Sequence, residues 1–267
     1  MTLIAILIGT LAAGIGSVWL AAALSFGALA RYTQHMLSLA AGALMGTAFL
    51  HLLPEAFESK AGAQQLFLVL LVGVLFFFLL DKAELWHHGH EHHHDHPREE
   101  GDEHSHDAAH PGHDHAPQPG NWAVLTGDSV HCFGDGILVA SAFMADMRLG
   151  AIAAIAVLAH EVPHHMGDLA VLRDASSNRK MALVKVSLAG AVTALGGMVG
   201  YWLVEQLRGF LPYFLVVASS SFIYVALADL IPQLQKRLSL RETLAQIAWL
   251  MLGIALVTVV SALAHGR

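Results

Sequence analysis

The sequence is poor in cysteine, in charge and in basic residues. Its 267 residues include one cysteine, Cys132, so no intramolecular disulfide can form. Only 13% of the residues are charged while 55% are hydrophobic, which excludes an ordinary water-soluble domain. The net charge of −7 leaves no basic face, so a nucleic-acid partner is not expected. The composition predicts an all-α polytopic membrane protein.

The charge is concentrated in one segment, residues 87–120. This segment holds eight acidic residues, one arginine and twelve of the nineteen histidines, with almost no apolar residue. Such a segment cannot bury enough surface to fold, so we predict a disordered loop. Histidine-rich tracts bind metals weakly, which is the function expected here, with a passive solvated linker as the alternative.

Eight apolar runs are each close to the ~20 residues that a transmembrane helix needs. They lie at about 2–29, 34–57, 63–86, 121–146, 148–173, 180–207, 211–235 and 240–264. With the N-terminus outside, ten lysines and arginines fall on the inner side and four on the outer side. We therefore expect a plasma (inner) membrane protein with both termini outside and a cytoplasmic histidine-rich loop.

A short motif recurs near the ends of the second and seventh runs. His51-Leu52-Leu53-Pro54-Glu55 and Asp229-Leu230-Ile231-Pro232-Gln233 share a polar residue, two aliphatics, a proline and a polar residue. The two flanking triplets would have opposite topology, which predicts a 3+2+3 inverted repeat within one transmembrane domain, 1–267. A chance recurrence of a proline-kinked helix is the alternative.

The two central runs carry ionisable residues, which are costly at membrane depth and therefore indicate a functional site. Candidate ligands share helix faces at i, i+4 spacing. They are His131 and Asp135 in the fourth run, and His160, Glu161, His164, His165 and Asp168 in the fifth. Imidazole and carboxylate together favour Zn²⁺, Fe²⁺ or Mn²⁺ over Ca²⁺ or Mg²⁺.

Four further residues have two interpretations each. Cys132 is either a soft metal ligand or a small buried hydrophobe. His51, Glu55 and Asp229 stand near the ends of runs, where each is either an interfacial cap or part of the metal path. The expected partners are divalent cations and the lipid bilayer, and a homodimer is one assembly consistent with this class.

The residues resemble the ZIP family of divalent-metal transporters over nearly the whole chain. The motifs that carry the resemblance are HCFGDG, HEVPHHMGD, HLLPEA and FFFLLDK, and the closest likeness is to the branch whose fifth helix reads HExPHE. The resemblance implies uptake of Zn²⁺ toward the cytoplasm, with Fe²⁺, Mn²⁺ or Cd²⁺ as further candidates. It also implies eight helices and a binuclear site between the fourth and fifth, with Asp229 on the pathway.

The sequence departs from that family pattern at three positions. His165 replaces the second glutamate of HExPHE, Cys132 replaces an asparagine, and Thr193 stands where some relatives have a glutamate. The first departure removes whatever role that carboxylate has, the second is expected to change the metal preference, and the third to weaken the second metal position.

Two other classes of protein fit part of the pattern. Residues 160–164 also satisfy HExxH, the signature of zinc proteases, although the proline inside the motif speaks against an intramembrane metalloprotease. A metal exporter or sensor would use similar membrane histidines and carboxylates.

Overall fold

The structure is a computed structural model that describes residues 1–25, 33–89, 121–175, 179–234 and 239–265. Every regular element within these ranges is helical. The α-helices are α1 (Thr2–Leu11), α2 (Ser17–Ser25), α3 (Thr33–Thr47), α4 (Leu53–Phe57), α5 (Ala63–Gly89), α6 (Asn121–Ala145), α7 (Met147–Ala175), α8 (Arg179–Gln206), α9 (Leu211–Leu234) and α10 (Leu240–His265).

Two π-helical turns join the shorter helices into continuous rods. Ala12–Gly16 links α1 to α2, and Ala48–Leu52 links α3 to α4. The second π turn ends just before Pro54, which has no N–H to donate and crowds the carbonyl of the preceding turn. A wider turn accommodates that ring, so the helix continues through the proline. The predicted runs thus correspond to α1–α2, α3–α4 and then α5 to α10 in order.

Six of these rods are long and apolar enough to cross a membrane by length and composition. They are Thr2–Leu24, His35–Phe57, Ala63–Leu80, Lys180–Gln206, Arg208–Ala228 and Leu240–Leu263. Helices α6 and α7 are not among the six, because their histidines and carboxylates lower the mean hydropathy. The all-helical architecture with multiple candidate spans is therefore as predicted.

Helices α6 and α7 form a tight hairpin that brings the two polar motifs together. A single residue, Asp146, connects them and caps α7. Its Oδ1 accepts hydrogen bonds from the backbone N–H groups of Arg148 (2.8 Å) and Leu149 (3.3 Å). A connection this short forces α7 to run back along α6. His131 and His160, 29 residues apart in the chain, consequently face each other.

The hairpin lies in the middle of the bundle. Its apolar residues share one buried cluster with α3 and α9, which includes Leu44, Val139, Ile152 and Phe222. Helices α5 and α10 lie at the periphery, where only 11% of the most apolar stretch of each helix is buried. Their exposed leucines, valines and phenylalanines form the surface expected of helices that face lipid.

Two glycines let α6 and α8 approach at backbone distance. A Cβ added to Gly136 would overlap the carbonyl of Thr193, and one added to Gly196 would overlap the carbonyl of Phe133. Small residues of this kind allow close helix contact in membrane proteins. The contact holds the part of α6 that carries the HCFGDG motif in a fixed position.

Candidate metal centre

Four side chains from α6 and α7 converge in a first group, defined as His131, Asp135, His160 and Glu161. His160 Nε2 lies 3.0 Å from Asp135 Oδ2 and 3.5 Å from Glu161 Oε1. His131 Nε2 lies 3.5 Å from Glu161 Oε1 and 3.4 Å from His160 Nε2. Three of the four side chains are fully or almost fully buried, and His131 is about one-quarter exposed (28%).

The spacing within the first group fits a tetrahedral cation. Zinc–nitrogen and zinc–oxygen bonds of 2.0–2.1 Å place neighbouring ligand atoms about 3.3 Å apart in a tetrahedron. The separations between these atoms run from 3.0 Å to 3.8 Å, the longest being that from His131 Nε2 to Asp135 Oδ2. These four atoms therefore suit zinc or a metal of similar size with little rearrangement.

A second group lies beside the first and consists of Asp128, Cys132, Glu161 and His165. His165 Nε2 lies 3.2 Å from Glu161 Oε2 and 3.8 Å from Asp128 Oδ1. Cys132 Sγ lies 3.7 Å from Asp128 Oδ1 and 3.9 Å from Glu161 Oε2. A zinc–sulfur bond of 2.3 Å would separate sulfur from an oxygen ligand by about 3.5 Å, so these distances again fit a tetrahedral ion.

Glu161 belongs to both groups, and its two oxygens are divided between them. Oε1 faces the imidazoles of His131 and His160, whereas Oε2 faces His165 and Cys132. The side chain is 1% exposed. A carboxylate in this position can bridge two cations, one on each oxygen.

The protonation pattern of His160 leaves electron pairs that face one another. Its Nδ1 lies 3.3 Å from the carbonyl oxygen of Ala156, and a carbonyl only accepts, so Nδ1 carries the proton. Nε2 of the neutral ring then presents a lone pair to Asp135 Oδ2, which lacks a hydrogen-bond partner among the described residues. Two acceptors at 3.0 Å need a cation between them, either a proton or a metal ion.

Comparison with known proteins identifies the family to which this chain belongs. A family model described as "ZIP Zinc transporter" matches residues 1–118 and 83–261, which together cover almost the whole chain. The chain belongs to the ZIP zinc transporter family. It is accordingly an integral membrane protein and a transporter rather than an enzyme.

Within the aligned regions, about a third of the residues of individual ZIP relatives are identical to those of this chain. "Zinc transporter ZIP13" of Pongo abelii is 29% identical over 290 residues, 97% of this chain and 79% of the relative. "Zinc transporter ZIP10" of Homo sapiens is 34% identical over 158 residues, 58% of this chain and 18% of the relative. "Zinc transporter ZIP4" of Homo sapiens is 36% identical over 115 residues, 43% of this chain and 18% of that protein. The chain thus spans most of ZIP13 but a small part of ZIP10 and ZIP4.

Some predicted ligands of this ZIP protein lie beside the two groups rather than in them. The His164 ring is exposed and stacks on His131 at a centroid distance of 5.4 Å. Asp168 is partly buried, and its Oδ2 has no hydrogen-bond partner within the described ranges. His51 lies in the π turn Ala48–Leu52 and Glu55 is exposed on α4; neither belongs to a group. The side chain of Asp229 lies outside the described residues, as do residues 90–120 of the histidine-rich segment.

Two residues of the centre were not predicted from the sequence. Asp128 precedes Cys132 by one turn, so the i, i+4 rule that selected His131 and Asp135 also applies to this pair. Ser17 belongs to α2, and its Oγ lies 2.9 Å from His165 Nδ1. No local pattern connects a serine with a histidine 148 residues away, because only the packing of α2 on α7 brings them together.

Proposed function

We propose that this protein carries Zn²⁺ across the plasma (inner) membrane toward the cytoplasm, with the first and second groups as the binding positions on the path. The observation that carries the proposal is the pair of four-ligand groups that share Glu161 inside an apolar helical bundle. The family match and the named zinc transporters among the relatives support zinc as the transported ion. The HExPHE branch, which agrees with the motif of α7, stays a prediction.

The ligand set suits an ion that must bind and then leave. The two groups contain one sulfur ligand, Cys132, and otherwise only histidines and carboxylates. Such a set binds zinc less tightly than a closed cage of thiolates. A shared carboxylate adds a release mechanism, since a second cation on Oε2 draws negative charge from the ion on Oε1. Neighbouring sites that lower each other's affinity allow an ion to move on, because neither site holds it too tightly.

Helix contacts support the eight-span, 3+2+3 inverted repeat. In such a repeat, spans 1, 2 and 3 correspond to spans 6, 7 and 8, and span 4 corresponds to span 5. A contact between two helices should therefore recur between their two counterparts. Helix α3 packs on α10 as α9 packs on α5, and α7 packs on α3 as α6 packs on α9. The contact of α1 with α8 maps onto itself, as does that of α6 with α7. In this arrangement the polar hairpin lies at the repeat interface, where transporters of this kind place their substrate.

Zinc flux into proteoliposomes tests the proposal. Purified protein should load the vesicles with Zn²⁺ when an internal fluorescent indicator reports entry. Asp135→Ala and His160→Ala, which each remove a buried ligand of the first group, should abolish the flux and leave the helical content intact. Wild-type rates in both folded variants would contradict the assignment. Competition by Fe²⁺, Mn²⁺ and Cd²⁺ in the same assay measures selectivity.

Vesicles that contain the protein in one orientation separate uptake from the exporter alternative. Zinc should move from the face that carries the termini toward the face that carries residues 90–120. A protease that cannot cross the membrane reports which face is outside. The loop orientation and a homodimer stay predictions, and crosslinking in native membranes tests the latter.

The metalloprotease alternative is not supported. The family match is to transporters, and Glu161, which would be the general base of HExxH, has its oxygens directed at two ligand groups. A protease would need that carboxylate beside a water molecule and a peptide substrate.

A further inference from the structure

His165 is a fully buried imidazole whose two nitrogens contact different parts of the protein. Nδ1 lies 2.9 Å from Ser17 Oγ, and both side chains are completely buried. Nε2 points into the second group, 3.2 Å from Glu161 Oε2 and 3.8 Å from Asp128 Oδ1. Nε2 has no hydrogen-bond partner of good geometry in the described part of the chain.

The hydroxyl proton of Ser17 is already committed to the backbone. Ser17 Oγ lies 2.5 Å from the carbonyl oxygen of Gly14, a separation that two oxygens adopt only with a hydrogen between them. The carbonyl has no proton, so Ser17 donates to it. The hydroxyl oxygen therefore accepts from His165, and the imidazole proton lies on Nδ1.

The tautomer of His165 follows from this chain of hydrogen bonds. With Nδ1 protonated, the neutral ring presents a lone pair at Nε2 to the second group. The opposite tautomer would direct an N–H at Glu161 Oε2, occupy that oxygen and leave Nε2 unable to bind a metal. His160 has the same pattern with a backbone carbonyl in place of the serine. Partners of this kind fix both the tautomer and the orientation of metal-binding histidines.

Ser17 is itself held by the packing of a π turn. Gly14 belongs to Ala12–Gly16, and a Cβ at Gly14 would overlap the carbonyl of Gly190 in α8. The Gly14 carbonyl is thus fixed between two helices, and Ser17 with it. π turns within α-helices frequently occur at functional sites.

We propose that Ser17 is a positioning residue for the second group, and that it makes His165 Nε2 a metal ligand by accepting the proton of Nδ1. This inference rests on the proposed function for the identity of the ion. It also assigns a ligand to the second metal position, which the departure at Thr193 was expected to weaken. Ser17 does not touch the ion.

Cobalt absorption provides a direct measurement of the second group. Co²⁺ replaces zinc in tetrahedral sites, and a thiolate ligand adds a near-ultraviolet charge-transfer band. Cys132 is the one cysteine of the chain, so that band reports the second group alone, whatever cobalt the histidine-rich segment takes up. The titration uses the full-length protein in nanodiscs.

Ser17→Ala should weaken the cobalt affinity read from this band by about 10- to 100-fold, the usual loss when the partner of a metal-binding histidine is removed. Ser219→Ala is the matched control, because Ser219 is equally buried and, among the described residues, its hydroxyl bonds only the carbonyl of Leu215. It should bind cobalt as the wild type does. An unchanged affinity in folded Ser17→Ala would overturn the inference.

A second pair of variants covers the case in which Ser17→Ala fails to fold. Threonine and valine have the same shape at position 17, but only threonine can accept the Nδ1 proton. Ser17→Thr should keep the band and Ser17→Val should lose affinity; equal affinities would reject the role of the hydroxyl. A wild-type protein that transports zinc but shows no charge-transfer band would refute this inference and leave the proposed function intact. A band without zinc flux would do the reverse.

Discussion

Glu161→Gln tests whether one carboxylate serves both groups. Glutamine keeps the shape of the side chain but has a single acceptor atom, and its NH₂ has no lone pair for a metal. Because Oε1 and Oε2 face different groups, either orientation of the amide deprives one group of a ligand. No rotation of the side chain can repair both.

The size of the effect follows from burial and charge balance. With a zinc ion in each group, Asp128, Asp135 and Glu161 as carboxylates and Cys132 as a thiolate would supply four negative charges to balance two divalent cations. The variant leaves one positive charge uncompensated in a site where Glu161 is 1% exposed. Removing one partner of a buried charge pair costs about 3–5 kcal/mol. The dissociation constant for the weakened position should therefore rise by roughly 10²- to 10⁴-fold.

Calorimetric zinc titration in nanodiscs, beside zinc uptake by proteoliposomes, measures this loss. Glu58→Gln is the matched control, because the same substitution changes an exposed carboxylate at the end of α4 and should alter affinity by less than tenfold. Zinc affinity and stoichiometry equal to the wild type in folded Glu161→Gln would refute the shared-ligand geometry.

Three further predictions concern packing, selectivity and the loop. Gly136→Ala should lower the free energy of unfolding by about 1–3 kcal/mol, because the new methyl group overlaps α8. Gly134→Ala should be neutral or stabilising, because its methyl group would have no neighbouring atom within 4 Å. Equal melting temperatures of the two variants would contradict this prediction. Cys132→Asn should raise Mn²⁺ uptake relative to Cd²⁺, because sulfur selects soft ions; an unchanged ratio in competition assays would remove Cys132 from the ligands. Deletion of residues 90–116 should slow zinc uptake without abolishing it, and complete loss of flux in a correctly inserted protein would show that the loop is an obligatory conduit.

The helices and much of the centre were predictable because both depend on local periodicity. Apolar runs of suitable length gave the rods, and i, i+4 spacing placed His131 with Asp135 on one face of α6. The same rule extended one turn back would have found Asp128. The division of Glu161 between two groups depends on the rotation of α7 against α6, which spacing within one helix does not define. The role of Ser17 needed the packing of α2 on α7, and the π turn before Pro54 was predicted only as a kink.

The polarity of α6 and α7 has a consequence for biogenesis. In the free energy of membrane insertion by the translocon, a carboxylate at the centre of a helix is unfavourable by about 2.5–3.5 kcal/mol. Each leucine or valine is favourable by only about 0.3–0.6 kcal/mol. Asp128 and Asp135 in α6, and Glu161 and Asp168 in α7, therefore make each helix a poor substrate for insertion on its own. The one-residue connection at Asp146 favours insertion of the two helices together as a hairpin, with their charged faces turned toward each other. An ion that binds between those faces stabilises the folded hairpin over the unfolded one, so we expect zinc-depleted cells to degrade more of the newly made protein.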